Sequence, residues 1–260
     1  MLLTARATLW VVRDPRLYDS ISSRYAVTRR EDERVAACIH GALGTGERVI
    51  NVGSGTGNYE PRDRRVVAVE PSSEMISKRP LGTGSAVRAV AEALPFGSDS
   101  FDVAMATLTL HHWQDRRQGL TEMRRVAPRQ VIFLFDPAET YRFWAIDYWP
   151  TALSLPSEQD VPTPGDLAEV LNVVDVQPVA IPIDCRDGFG AAFWGRPEAY
   201  LDSDVQQGMS WLAQLPRSVL DEGASRLEAD LESGDWDSHH GYLRDLPELD
   251  VGYRLVIAQS

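Results

Sequence analysis

The chain has 260 residues, 43% of them hydrophobic and 25% charged, a mix that excludes disorder and suffices for one large α/β core. Its net charge of −12 argues against a nucleic-acid partner, because phosphate binding needs clustered Lys and Arg, and acids interrupt both RREDER and RDRR. No run of about 18 apolar residues occurs, so no membrane partner is expected.

The opening MLLTARATLWVVRDP reads as a packed arm rather than a signal peptide, because Arg6 breaks it and no small-residue cleavage site follows. Residues 31–43 place Val35, Ile39 and Leu43 on one helix face. RVINV (48–52) is a buried strand running into glycines, and RVVAVE (65–70) is a second. SAVRAVA, FDVAMATLTL (101–110) and QVIFLF (130–135) continue the series. These runs are apolar without alternation, as parallel strands covered on both faces are. Asp115 caps a helix whose Leu120, Met123 and Ala127 share a face. VQPVAIPI (176–183) and YRLVIA (253–258) add two strands, separated by helical stretches that include SDVQQGMSWLAQL and RSVLDEGASRLEADLE.

The order implies a doubly wound, mostly parallel seven-stranded α/β sheet, read as one domain over 1–260. Its core is expected at 31–136, 176–183 and 253–258. Helical lid insertions take up 137–175 and 184–252. Cys38 and Cys185 show no metal or redox spacing, so no metal site is expected and reduced thiols in a cytoplasmic protein are the default.

NVGSGTGNYEP puts Gly53, Gly55 and Gly57 directly after a strand, in G-x-G-x-G spacing rather than the dinucleotide G-x-G-x-x-G. Glu70 ends the next strand, where an acid accepts hydrogen bonds from the hydroxyls of a ribose. A tight turn is the competing reading of the glycines alone, and the acid tips the balance toward a nucleoside cofactor.

NVGSGTG, VVAVEPSSEMI, AEALPFGSDSFDVAMATLTLHHW and GLTEMRRVAPR, in that order, resemble the successive motifs of class I S-adenosylmethionine (SAM) dependent methyltransferases. The similarity spans residues 48–136 and is closest to the small-molecule branch that includes the ubiquinone and menaquinone biosynthesis enzymes. The resemblance implies a Rossmann-like fold, SAM as cofactor and transfer of its methyl group to an O, N or C atom of a small organic molecule. It assigns the methionine part of SAM to Gly53, Ser54, Gly55, Thr56 and Gly57, and the ribose to Glu70. Pro71, Ala91 and Glu92 would border the adenine, and Thr107 with Leu108 would face cofactor and acceptor. It also implies an N-terminal segment that closes over SAM, with Tyr25 and Arg29 as contacts and Arg29 facing the carboxylate.

Three departures stand out. Asn51 replaces the usual acid before the glycines, and Val90 replaces an adenine-binding Asp. The loop from Gly57 to Arg65 contains Pro61 and is too short for a full crossover helix.

His111 and His112, where the fourth strand meets its loop, are candidate general bases, with packing under the loop as the competing reading. His239 and His240 read as a solvated polar turn. Tyr141, Phe143, Trp144, Tyr148 and Trp149 suggest an acceptor-facing wall, with Trp194 and Arg196 as a further anchor, against core packing as the alternative. A non-catalytic SAM-binding protein remains open, with Asn51 as its only hint. A nicotinamide oxidoreductase is disfavoured by the glycine spacing.

Overall fold

The structure, a computed structural model, describes residues 29–140 and 142–260. Tyr25 and Tyr141 therefore lie outside the described residues. Seven strands form one sheet in the order β3-β2-β1-β4-β5-β9-β6. They are β1 Arg48–Val52, β2 Arg65–Val69, β3 Ser85–Val87, β4 Val103–Thr107, β5 Arg129–Phe135, β6 Val173–Pro178 and β9 Tyr253–Gln259. The pairs from β3 through β5 are parallel, and β9 runs antiparallel to both β5 and β6. A separate two-stranded ribbon joins β7, Ile181–Pro182, to β8, Glu248–Leu249.

Alternate residues of each central strand serve opposite layers. Val49, Met105 and Phe133 pack with α1 (Glu33–Ala42), while Ile50, Ala104 and Ile132 pack with α2 (Arg116–Val126). Both helices begin as their sequences require. Asp32 accepts from the Arg34 N–H and Asp115 from the Gln118 N–H, satisfying donors that a helix start leaves free.

The departures have local causes. The expected strand 176–183 divides, because Pro178 and Pro182 lack the N–H that a continuous ladder needs. β6 is an edge strand and not a covered one, with Val174 56% exposed. The third strand stops at Val87, where its partner β2 runs out, and residues 88–91 become loop. SDVQQGMSWLAQL forms two short helices broken at Met209, whose backbone is extended. The cap there is Asp202, whose side chain accepts from the Asp204 N–H. His239 and His240 end the helix Asp235–His240 rather than a turn.

The two insertions interlock after β5 and β6. Trp144 Nε1 donates to the Trp194 carbonyl at 2.7 Å, Trp194 Nε1 to the Ile181 carbonyl, and Trp149 Nε1 to the Leu220 carbonyl of α3 (Arg217–Ser233). All three indoles are buried in the cluster that covers the α1 face of the sheet. Among the described residues, no helix is long and apolar enough to cross a membrane.

Candidate functional site

The glycine loop leaves β1 with positive φ at Gly53 (73°) and Gly55 (53°). A side chain at Gly53 would collide with Thr109 in the loop after β4, so the two strand ends close on each other only through glycine. A side chain at Gly55 would meet nothing and would project into open space. That space is a cavity of about 1170 Å³ at the carboxyl ends of β1, β2 and β4. Asn51, Gly53, Ser54, Gly55, Thr56, Glu70, Pro71, Ala91, Glu92, Thr107 and Leu108 all line it. Gly57 does not; it faces the Arg79 guanidinium, 2.8 Å from where its Cβ would lie.

Glu70 accepts from the Gly55 N–H at 2.8 Å and the Ser72 N–H at 3.0 Å. Burial pushes its carboxyl above the usual range, while these two bonds pull the other way. A carboxylate has about four acceptor sites, so two bonds leave it able to accept from a diol. Glu92 likewise accepts two backbone N–H groups, those of Gln114 and Asp115, both on the same carboxylate oxygen.

Asn51 Nδ2 donates to Glu60, and Glu60 forms a buried ion pair with Arg79 at 2.7 Å. Because Glu60 can only accept, the orientation of the Asn51 amide is settled. Its Oδ1 is buried without a partner, as is Thr107 Oγ1. An orphaned acceptor against a cavity costs free energy until a ligand donates to it.

Past β4, Leu108 takes φ of 50°, a strained conformation for leucine that redirects the chain into the turn Leu110–His112. The His111 and His112 rings lie 3.6 Å apart between centroids. Both line the large cavity and also a second one of about 130 Å³. Arg29, Leu108, Thr109 and Ser157 share that position between the two. The second cavity is walled by Phe135, Phe143, Phe189, Trp211 and Tyr253.

Arg29 Nε donates to Asp187 Oδ1 at 2.6 Å, and Tyr59 donates to the other Asp187 oxygen. Asp187 lies in the second insertion and ties it to the glycine loop. Arg29, expected to face a cofactor carboxylate, thus lines the large cavity while paired to Asp187. The acceptor wall is corrected. Trp144, Tyr148, Trp149, Trp194 and Arg196 line neither cavity; the three indoles and the Tyr148 hydroxyl bond to other groups of the protein, and Arg196 Nε is buried without a partner. Tyr148 donates to Asp230, and Arg196 to the Cys185 carbonyl. Of the described residues of that wall, only Phe143 lines the small cavity. Phe189, Trp211 and Glu158 escaped the sequence reading; only Phe135, at the carboxyl end of a core strand, carried a positional signal.

The family described as Methyltransferase domain matches residues 50–135. A presumed methyltransferase from an antibiotic biosynthesis pathway of Anabaena variabilis superposes with a TM-score of 0.79 and 30% identity, covering 90% of this chain and 99% of that one. The chain belongs to the class I SAM-dependent methyltransferases. A ubiquinone/menaquinone biosynthesis C-methyltransferase (UbiE) of Geobacter sulfurreducens is 32% identical over 46% of this chain. An uncharacterized methyltransferase (YcgJ) of Bacillus subtilis is 28% identical over 34% of it. These matches span 53% and 39% of the two curated relatives.

The residues lining the large cavity are compatible with the family's cofactor: Asn51 Oδ1 and Thr107 Oγ1 would offer acceptors to its ammonium group, Gly55 would leave space for its methionine part, and Glu70 would have lone pairs left for its ribose. Glu60 stands directly behind Asn51, but Arg79 balances its charge, so Asn51 brings a neutral acceptor where the family usually has an acid.

Proposed function

We propose that the chain transfers the methyl group of SAM to an O, N or C atom of a small organic molecule. The observation that carries this reading is the meeting of two unlike cavities at the end of β4. One is lined by the glycine loop and Glu70, the other by aromatic side chains, and His111 and His112 stand between them. SAM supplies an electrophilic methyl group on a sulfonium. Charge disperses as that methyl moves, so alignment and water exclusion supply most of the acceleration. Glu70 and Gly55 fix the cofactor end of the line, and Phe143, Phe189 and Trp211 keep water from the acceptor end. His111 or His112 takes the acceptor's proton when the nucleophile must lose one.

A cavity of about 130 Å³ admits a group the size of a benzene ring. The description of the Anabaena relative supports an acceptor from specialised metabolism. The test is calorimetry with S-adenosylhomocysteine (SAH), followed by radiolabelled methyl transfer from SAM across a panel of small aromatic and alicyclic acceptors. Binding of SAH together with label in at least one acceptor is expected. Failure of the protein to bind SAH would overturn the reading.

A further inference from the structure

Glu158 sits in the single helical turn Pro156–Gln159 of the first insertion and lines the small cavity. Among the described residues, and apart from Arg29 and the two histidines at the junction, it is that cavity's only charged side chain. Arg29 is turned to Asp187. The only side-chain partner of Glu158 is the Ser157 hydroxyl, at 3.5 Å, and no ion pair includes it among the described residues. Burial raises its carboxyl pKa, and the Ser157 bond offsets this only in part. A carboxylate at an aromatic-walled cavity without a cation costs free energy that a structural role does not return. The charge is compensated when a ligand brings the opposite one. A hydroxyl would donate one hydrogen bond and leave the charge unbalanced. A protonated amine supplies both bond and charge.

We infer that Glu158 is the acceptor's anchor and that the acceptor is an amine on a compact apolar or aromatic body, seated between Glu158 and the His111–His112 turn. This inference rests on the methyltransferase reading and names the substrate class of the same site. No covalent step is assigned to Glu158, which holds the ammonium group.

The test uses the full chain saturated with SAH and two probes of equal shape, 2-phenylethylamine and 2-phenylethanol, titrated by calorimetry into wild type and Glu158→Gln. Wild type is expected to bind the amine about tenfold or more tightly than the alcohol, and Glu158→Gln to lose that preference. SAH affinity should be the same in both proteins. Equal binding of the two probes by wild type, binding of neither, or a preference that survives in Glu158→Gln would each overturn the anchor. With SAH binding intact, those results leave the methyltransferase reading standing. Loss of SAH binding by wild type would instead remove that reading, and the inference with it.

Discussion

Glu70 holds two backbone N–H groups and has acceptor sites to spare, so its removal weakens the cofactor site twice over. Glu70→Ala should cost about 1–3 kcal/mol of SAH binding, the range for charge-assisted hydrogen bonds. Gly55→Val should abolish binding, since it adds both strain at positive φ and bulk in the cavity. Calorimetry with SAH checks both, and unchanged affinity in the pair would remove the cofactor from this loop. For the histidines the readout is turnover. Replacing the one that acts as base by Ala should slow methyl transfer about 100- to 10,000-fold with SAH affinity intact. Little loss from either variant would leave catalysis to alignment alone. Glu158 predicts a pH effect. Its carboxyl is raised in the folded protein, so the native state keeps a proton that the unfolded chain has released. Stability is then lost as pH rises through the raised range. Glu158→Gln should therefore melt above wild type at pH 7, with the gap closing below about pH 4. Parallel melting curves across that range would contradict it. Glu70 was legible because its partners lie within a few residues of a strand end. Glu158 was not, since only the folded insertion brings PSEQ to the end of β4.

α3 shows how much an element depends on one contact that has no sequence signature. Leu220 and Leu227 mark its buried face, and the heptad-like spacing is enough to find the helix. Gly223 on that face lies where any Cβ would enter the Trp149 indole. Ala is the better helix former by about 0.5–1 kcal/mol, yet overpacking costs about 1–3 kcal/mol, so the clash wins. Gly223→Ala should lower stability by chemical denaturation while SAH affinity holds. A stabilised variant would show that the indole can move aside. The same contact explains why the aromatic residues of 141–149 misled. Tryptophans with buried N–H groups seek carbonyls, and these found them across the two insertions and not at the cavity. Composition locates a dense aromatic segment, whereas only tertiary packing decides which rings face a ligand.

Across the molecule, the cofactor cavity is built mainly from strand ends between β1 and β4, and most of the small cavity's wall comes from the insertions, with Phe135 and Tyr253 completing it. Changes at either should therefore separate cleanly. Phe143→Ala, at a half-buried wall position, should alter the acceptor KM or widen the range of acceptors and leave SAH affinity unchanged. Equal loss of both would show that the cavities respond as one. The central strands of the doubly wound core were legible because buried parallel strands read as unbroken apolar runs, whereas the exposed edge strand β6 was misplaced. The insertions were legible only as lengths of chain, since their short helices are held by long-range contacts.

The position of β9 has a consequence for synthesis. It comes last in chain order, yet it lies between β5 and β6. While the chain is being made, β5 therefore presents an unpaired edge until everything between Phe135 and Tyr253 has emerged. β6 has no neighbour to join in that interval. Asp187, the partner of Arg29 and Tyr59, also arrives late. An exposed apolar edge of this kind invites mispairing, so shielding of the nascent chain matters most over this stretch.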